Sequence, residues 1–324
     1  MNKLIGLYYR SKAYVRQKQI SKCGNASVYS MRLKKYGTYR VLSANDSNML
    51  MSQKIKSGEP FLAGRFGSTE LLNMRSYDFG GMIGQKYDSD FHFNHLCEWS
   101  GFFPQKKELL PDFVAELKSA CQQVDLLAVW YQPFEDYYMR FYMPQLKNVT
   151  YLLNFEPWSE ENAHWSAALR GKKVLVIHPF VDTIVKQYTK REKLFPNTDI
   201  LPDFELHTIK AVQTLAGTCD PRFSTWFEAL EWMFEETKKI DFDIAIVGCG
   251  AYGLPLAAKI KQMGKQAIHL AGATQVLFGI KGKRWEENSE FSYVRKLFNE
   301  HWVYPGEEEC LRNGDNVEGG CYWG

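Results

Sequence analysis

The sequence has no pair of cysteines at C-x-x-C spacing and no acidic residue before Asp46. Its seven cysteines are scattered, which disfavours a zinc ribbon or a thioredoxin-type site and favours free thiols in a reducing compartment. No apolar run is long enough to span a bilayer, and the apolar run after Met1 is too short for the core of a secretory signal. These absences predict a cytoplasmic protein.

Because no Asp or Glu precedes Asp46, residues 1–45 are strongly basic. This segment has ten Lys and Arg residues interleaved with tyrosines, whereas the rest of the chain is net acidic. We therefore expect a basic N-terminal arm over 1–45 that contacts an anionic partner, either the inner face of the cell membrane or a lipid-linked acceptor. A solvated face that packs on the main domain through its tyrosines is an equal alternative. No nucleic-acid motif occurs, so no nucleic-acid partner is expected.

The remaining sequence alternates short apolar runs with amphipathic segments. The apolar runs have the lengths of buried strands, and they occur at 61–67, 125–130, 149–153, 173–178, 204–209, 243–247 and 266–270. This alternation predicts an α/β fold of Rossmann-like type, a mostly parallel sheet with helices on both faces. We expect one α/β domain over 46–300, with a soft boundary near 154–171, and an irregular C-terminal tail over 301–324.

The clearest local motif is Gly248-Cys-Gly-Ala-Tyr-Gly253, which fits G-x-G-x-x-G between a predicted strand and a predicted helix. Glycines allow a tight turn close to a phosphate, and a helix N-terminus offers unpaired N–H groups. The motif predicts nucleotide contacts from Gly248, Gly250, Ala251, Tyr252 and Gly253. The alternative is that the glycines only allow close packing of the strand on the helix.

A dinucleotide site needs more than this turn. It requires an acid at the end of the next strand, about 20 residues on, to bind a ribose. That stretch, Gln266–Gly272, has no acid. An NAD(P)-dependent oxidoreductase is therefore the less favoured alternative, and another nucleotide pose is expected.

A second motif, Arg65-Phe-Gly-Ser-Thr-Glu70, follows the first long apolar run. Arg65 can bind a phosphate bidentately, with Gly67 and Ser68 beside it, and Glu70 can bind a divalent metal or act as a base. The alternative is structural. Gly67 would then cap a helix with Glu70 as the capping partner, and Arg65 would form a salt bridge.

A third group lies at and after the carboxyl ends of later strands, where ligands of α/β proteins bind. Thr274 and Gln275 can bond a sugar or a base, and the small residue Gly272 lies beside them. Lys283 and Arg284 can neutralise a diphosphate, and a solvated basic loop is an equal alternative for the lysine. His178 also ends a predicted strand, so it either carries a proton or caps the following turn. His269 lies inside an apolar run and reads as a core histidine.

The second motif resembles the R-F-G-D-G-E signature of GT-D type glycosyltransferases. The run 243–247, its glycine turn and Gln266-Ala-Ile-His-Leu270 are similar to the nucleotide-binding half of that family, where the turn is followed by G-x-Q-A-I-D-I-G. The resemblance covers patches between residues 60 and 285. Ser68 stands in place of the family's Asp, Thr69 in place of its Gly, and His269 in place of the later Asp.

The resemblance implies a hexosyltransferase. Such an enzyme moves a sugar from a nucleotide-sugar donor, a UDP-sugar above all, to a hydroxyl of a glycan, glycoprotein or lipid-linked acceptor in bacterial surface glycan synthesis. It also implies a divalent metal, Mn²⁺ or Mg²⁺, at Glu70, which would be the retained acid beside the retained Arg65. Glu70 and His178 are then the candidate catalytic residues. A non-catalytic glycan-binding scaffold of the same fold remains an alternative, because Ser68 breaks the acid pair.

Overall fold

The structure, a computed structural model, describes residues 2–22, 33–80, 89–159, 164–311, 313–317 and 319–324. In these residues nine strands form one sheet in the order β1-β2-β5-β4-β3-β9-β8-β6-β7. The strands are β1 (Lys35–Tyr36), β2 (Tyr39–Leu42), β3 (Phe61–Gly64), β4 (Leu126–Val129), β5 (Asn148–Tyr151), β6 (Lys173–His178), β7 (Glu205–Lys210), β8 (Ile244–Val247) and β9 (Gln266–His269).

Fourteen α-helices accompany the strands in the described residues. They are α1 (Asn2–Lys22), α2 (Ala44–Ser57), α3 (Ser68–Phe79), α4 (Ser89–Ser100), α5 (Leu110–Cys121), α6 (Glu135–Tyr142), α7 (Leu152–Phe155), α8 (Val181–Tyr188), α9 (Arg191–Leu194), α10 (Trp226–Lys238), α11 (Gly253–Gln262), α12 (Ala273–Leu277), α13 (Lys283–Glu287) and α14 (Ser292–Arg295).

Local sequence signals explain several helix ends. The Ser43 side chain accepts the N–H of Asp46 at the start of α2, and Gly58 ends that helix in the left-handed conformation. Pro111 lies in the first turn of α5, where its missing N–H costs nothing. Thr225 caps α10 by accepting the N–H of Glu228.

The sheet confirms the predicted fold class. Only the β1–β2 pair is antiparallel, and every other pairing among the described strands is parallel. All seven predicted strands are present as β3 to β9. Helices cover both faces, and each face has its own apolar core, one around Phe113 and Trp226 and the other around Trp165 and Ile184.

The connections after the central strands alternate between these two faces. The chain after β3 and β8 enters the first core through Leu71 and Leu256, whereas the chain after β6 and β9 enters the second through Ile184 and Val276. Neighbouring strands in the order β3-β9-β8-β6 therefore send their chains to opposite sides. Such a switch opens a crevice at the carboxyl ends of the strands.

The two ends of the chain are more closely integrated than the sequence suggests. A separate basic arm over 1–45 is not confirmed, because β1 and β2 lie inside that range and β2 pairs with β5. The C-terminal residues contain only short 3₁₀ turns, Glu307–Glu309 and Gly314–Asn316, in their described part. Trp302, Val317 and Trp323 are nevertheless buried in the second core.

The region of the expected soft boundary lies between two strands of the same sheet. After β5 the chain passes through α7 and a 3₁₀ turn, Trp165–Leu169, and then forms β6. Residues 160–163 lie outside the described part. Of the helices in the described residues, none combines the length and the apolar character needed to cross a bilayer.

Candidate functional site

A large cleft lies at the carboxyl ends of β3, β4 and β9, with about 1350 Å³ of space between its walls. We call it the main cleft and define it by the charged and aromatic residues that line it. These are Arg65, Glu70, Trp99, Trp130, Phe155, Glu156, His269, Arg284, Trp285, Glu290, Phe291 and Tyr322. A cleft with aromatic walls and charged side chains of both signs suits a small polar ligand.

A smaller inner pocket of about 550 Å³ adjoins the main cleft. The two share five lining residues, which are Trp99, Ser100, Gly250, Gly272 and Tyr322. His178, Gly248 and Gln275 line only the inner pocket. The compartments therefore form one continuous space over the strand switch.

Arg65 follows β3 directly and holds its guanidinium at the cleft wall. The guanidinium lies 4.8 Å from the centre of the Trp130 ring, and Nε donates to the carbonyl of Phe66. Within the described residues Arg65 forms no ion pair, so the salt bridge of the structural alternative is not observed. A guanidinium stacked on an indole and facing a cleft is well placed to bind a phosphate.

Glu70 lies in the first turn of α3 and is 8% exposed. Gly67 is the N-cap of that helix, and a Cβ atom at Gly67 would come within 1.8 Å of Glu70 Oε2. The carboxylate is thus folded back over the N-cap, as the capping alternative requires. Oε2 also accepts the hydroxyl of Thr69 at 2.9 Å, and that hydroxyl is bonded to Ser100. Glu70 therefore holds the third helical position of the capping alternative, and its carboxylate lines the main cleft and accepts the Thr69 hydroxyl.

Glu156 is a second carboxylate in the main cleft, five residues beyond the end of β5. Its side chain is buried, and Oε2 accepts hydrogen bonds from Tyr293 Oη at 2.8 Å and Trp158 Nε1 at 2.9 Å. Burial raises the pKa of Glu156 to about 7, although these two hydrogen bonds and the charge of Arg65 oppose the rise. A carboxyl with a pKa near neutrality can exchange a proton with a ligand at physiological pH.

His269 forms part of the cleft floor at the end of β9. Its Nδ1 lies 3.1 Å from the carbonyl oxygen of Arg65, so Nδ1 carries the proton and donates it. Burial, and then the charge of Arg65, lowers the pKa of His269 to about 3. Its unprotonated Nε2 faces Gly253 at the start of α11. The core interpretation of His269 therefore fits, and the ring fixes the backbone that carries Arg65.

The C-terminal segment supplies another wall. Arg284 donates to Tyr322 Oη at 3.2 Å and to Cys321 Sγ at 3.2 Å, and its guanidinium lies 4.6 Å from the centre of the Tyr322 ring. Gln275 Nε2 donates to the carbonyls of Lys281 and Tyr322. These bonds attach the end of the chain to the segment after β9, and they place a second guanidinium in the cleft.

The glycine turn contacts protein on three sides. A Cβ at Gly248 would lie 2.6 Å from the Ala271 carbonyl oxygen, one at Gly250 would lie 2.9 Å from the Ser100 carbonyl oxygen, and one at Gly253 would lie 2.2 Å from His269 Nε2. Gly250 has a φ of +57° and is exposed to both compartments. The turn therefore serves close packing throughout, and Gly250 is its most accessible point for a ligand.

His178 ends β6 beside the inner pocket. Its Nδ1 accepts the backbone N–H of Phe180 at 3.0 Å, which is the turn-capping arrangement that the sequence left open. Burial lowers the pKa of His178 to about 3. An imidazole with this pKa is neutral at pH 7 and is a weak proton acceptor there.

The structure brings together many of the residues predicted from the sequence. The main cleft is lined by Arg65, Gly67, Ser68, Glu70, Gly250, Gly272 and Arg284, and the inner pocket by His178, Gly248, Gly250, Tyr252, Gly272 and Gln275. Four candidates line neither space, namely Ala251, Gly253, Thr274 and Lys283. The first three are buried behind the turn, and Lys283 pairs with Asp315 at 3.7 Å.

Tyr252 also has a structural role that the motif did not reveal. Its ring stacks on Trp226 with the centroids 5.1 Å apart, and its hydroxyl lies 3.2 Å from Thr214 Oγ1. The side chain thus supports the inner pocket from the core of the protein.

Sequence reasoning missed Glu156 and the aromatic walls of the cleft. Glu156 and Trp130 follow the apolar runs that became β5 and β4, and a polar or aromatic side chain just after such a run was the available signal. Trp99 and Tyr322 gave no such signal, because α4 and the C-terminal segment reach the cleft only through tertiary packing.

A metal ion would find a limited set of ligands here. No group of three His, Cys, Asp or Glu side chains in the described ranges is arranged to hold a cation. Glu70 contributes one carboxylate beside the hydroxyl of Thr69. Mg²⁺ is often bound by one or two carboxylates together with substrate phosphates. The residues therefore fit a cation that binds with a diphosphate ligand.

The fold and the cleft define a class, a doubly wound α/β protein with a cleft at the carboxyl ends of its parallel strands. Comparison with known proteins gives distant similarity only. No family model matches the chain, and no curated protein matches it.

Two solved structures are similar to the chain. One is described as "The highly conserved domain of unknown function 1792 has a distinct glycosyltransferase fold", and the other as the selenomethionine-substituted structure of domain of unknown function 1792. Each is 14% identical, with 84% of this chain and 92% of the other covered and a TM-score of 0.42. At this distance the similarity carries no argument about the reaction of this chain.

Proposed function

We propose that the protein is a glycosyltransferase that moves a sugar from a nucleotide-sugar donor, with a UDP-sugar favoured, to a hydroxyl acceptor. The observation that carries the proposal is the meeting of two guanidinium groups, Arg65 and Arg284, with two carboxylates, Glu70 and Glu156, in one aromatic cleft. Sugar transfer needs both functions, positive charge for the departing diphosphate and a proton acceptor for the attacking hydroxyl.

The cations would bind the diphosphate of the donor. Arg65 extends from the end of β3 and Arg284 from α13, so they approach the cleft from different elements. The exposed Gly250 lies between the two compartments and leaves room for a phosphate beside the turn. A diphosphate held by planar guanidinium groups leaves more readily, because the charge that develops on it is already compensated.

The aromatic walls would hold the sugar and the base. Trp99, Trp130, Trp285 and Tyr322 all line the main cleft. Aromatic rings present flat apolar surfaces that pack on the C–H faces of sugars and stack on bases, and the polar edge of Tyr or Trp can bond to them. The nucleotide-sugar donor is consistent with this lining.

Glu156 is the group that we assign to accept the proton of the acceptor hydroxyl. Its pKa of about 7 leaves a large ionised fraction at neutral pH, whereas the pKa of His178, at about 3, makes that imidazole a weak base. Tyr293 and Trp158 fix the carboxylate through Oε2. Glu70 then serves the donor side, where it would hold a Mn²⁺ or Mg²⁺ ion together with the diphosphate.

The role in bacterial surface glycan synthesis and the class of acceptor follow only from the resemblance of the Arg65–Glu70 motif and the later strands to GT-D type enzymes. The acceptor would be a glycan, a glycoprotein or a lipid-linked sugar, as in that family.

A thermal-shift panel tests the proposal. UDP, other nucleoside diphosphates, UDP-sugars and NADH are each added with and without Mn²⁺. A ligand that binds only the folded protein stabilises it by about 2.7 kcal/mol at one hundred times its Kd. We expect stabilisation by UDP compounds that is lost in Arg65→Ala and kept in Lys186→Ala, which removes an exposed cation on α8.

The panel also separates the alternatives. A shift with NADH alone would replace the proposal with an oxidoreductase. No shift with any nucleotide would leave the glycan-binding scaffold as the better description of the cleft.

A further inference from the structure

The first helix, α1, packs on the domain through one face. Tyr9 and Ala13 are buried, and the Tyr9 ring lies 5.3 Å from that of Tyr137 on α6. Lys12 and Arg16 both pair with Asp136 at the start of α6, at 2.8 and 3.2 Å. These contacts fix the orientation of the helix.

The opposite face of α1 is also apolar, and it is exposed. Five side chains there are between 53% and 76% exposed, namely Leu4, Leu7, Tyr8, Tyr14 and Val15. At 3.6 residues per turn they occupy an arc of about 120°, centred opposite Tyr9 and Ala13. Phe141 of α6 is 49% exposed and lines the same surface groove as Leu4 and Tyr8. We call these six residues the outer face. Ser11 and Lys18 are exposed within the same arc, so the face is mixed, with the apolar side chains in the majority. A cluster of exposed apolar side chains of this kind marks an interaction site.

The charge of α1 indicates what this outer face contacts. The helix has six Lys and Arg residues and no acid. Lys12 and Arg16 form ion pairs with Asp136. Arg10 and Lys18 are exposed among the apolar side chains, and Lys18 lies 4.7 Å from the centre of the Tyr14 ring. A second copy of this chain would bring two helices of the same charge together, which opposes self-association. An anionic lipid surface complements both the cations and the apolar side chains.

We propose that the outer face of α1 docks on an anionic lipid bilayer. Leu4, Leu7 and Val15 enter the boundary between headgroups and acyl chains, the exposed tyrosines lie at headgroup level, and Arg10 and Lys18 face lipid phosphates. The helix lies in the plane of the surface and does not span it. This inference is independent of the reaction proposed for the cleft.

Flotation of the 324-residue protein with lipid vesicles tests the inference. We expect binding to phosphatidylcholine vesicles that contain phosphatidylglycerol, and weak binding to pure phosphatidylcholine. Leu7→Glu should lower the bound-to-free ratio about tenfold or more, because a charge replaces an apolar side chain that enters the bilayer. The Arg10→Glu/Lys18→Glu double variant should lower it about fivefold for each cation removed, and added salt should weaken binding of the parent protein.

Matched controls separate this face from a general surface effect. Met49→Glu changes a side chain of similar exposure on α2, and Lys186→Glu/Lys190→Glu reverses two exposed cations elsewhere. Both controls should bind like the parent, and thermal unfolding should show that every variant is folded. Equal binding by the parent and Leu7→Glu, or no binding to anionic vesicles, would overturn the inference. A dimer in light scattering that Leu7→Glu dissociates, without vesicle binding, would assign the face to self-association instead.

Discussion

At the scale of single residues, the environment of Glu156 determines whether the cleft can accept a proton near neutral pH. A carboxyl in water has a pKa well below 7, and burial beside β5 moves this one to about 7. Two neutral donors, Tyr293 and Trp158, hold it without neutralising it. Its position shortly after an apolar run was the available sequence signal, but nothing in a lone Glu before a proline reveals its burial.

The acid–base role of Glu156 makes a prediction about pH. The base is the ionised form, so we expect kcat/KM for sugar transfer to rise as pH increases through about 7 and then to level off. Glu156→Gln should lower kcat by about 100-fold or more and remove that rise, since it keeps the shape but cannot accept the proton. Glu290→Gln, at an exposed position of the same cleft, is the control. An unchanged pH profile in Glu156→Gln would exclude the role.

Glu135 provides a residue-scale prediction about stability. Its carboxylate accepts the N–H groups of Trp130 and Tyr131, yet burial raises its pKa from 4.5 to about 8. The folded state therefore binds this proton more tightly than the unfolded state, and its stability falls as pH rises from 4.5 to about 8.

Urea unfolding at pH 5 and pH 8 measures this effect. The parent should lose unfolding free energy from pH 5 to pH 8, whereas Glu135→Gln should not, because Gln has no proton to lose. Relative to the parent, the free energy of unfolding of the variant should therefore rise by about 1–3 kcal/mol over this range. A parent and a variant whose free energies of unfolding change in parallel with pH would show that Glu135 is ionised throughout.

At the scale of elements, the glycine turn between β8 and α11 shows what a motif can and cannot predict. The sequence predicted the strand, the turn and the helix, because glycines and apolar periodicity are local signals. It could not show that His269, from a different strand, fills the space beside Gly253. Which residues of the turn meet the ligand space depends on that packing.

Gly253→Ala tests this packing directly. The new methyl group would overlap His269 Nε2, whose ring is held by its bond to Arg65, and we expect a loss of about 1–3 kcal/mol in unfolding experiments. Gly80→Ala is the matched control, since its Cβ would meet nothing within 4 Å and its φ is −52°.

A second variant shows whether the collision with the ring is the cause. Gly253→Ala should cost much less stability in the His269→Ala background than in the parent, because the colliding ring is gone. A loss that is the same with and without the ring would mean that the turn tolerates no side chain for another reason.

At the scale of the whole molecule, the sequence predicted the α/β class and seven strands, since these rest on local periodicity. It predicted a basic arm over 1–45 and left open whether that segment packs on the main domain through its tyrosines. The structure has Tyr36 buried and β2 paired with β5, so a separate arm is not confirmed. It predicted an irregular C-terminal tail, and the described part of that segment has only short 3₁₀ turns. It did not predict that Trp302 and Trp323 are buried or that Tyr322 lines the cleft. Pairing between distant strands and packing of the C-terminal segment on the domain leave no local pattern in the sequence.

Metal binding is a property of the whole assembled cleft with its ligand. Glu70 is one carboxylate, and the described residues contain no three-ligand group. We therefore expect Mn²⁺ to bind at least about tenfold more tightly in the presence of UDP than in its absence, as measured by the electron paramagnetic resonance signal of free Mn²⁺. Glu70→Gln should abolish that gain. Tight binding of Mn²⁺ without UDP would place the ion at other ligands.

The central claim is that this cleft transfers a sugar from a nucleotide donor, and release of UDP from UDP-sugars tests it most directly. We expect the parent protein to release UDP from at least one UDP-sugar. Arg65→Ala and Glu156→Gln should remain folded and release UDP at a rate at least about 100-fold lower. UDP release at the parent rate in both variants, or no release and no binding of any UDP-sugar with or without Mn²⁺, would contradict the account.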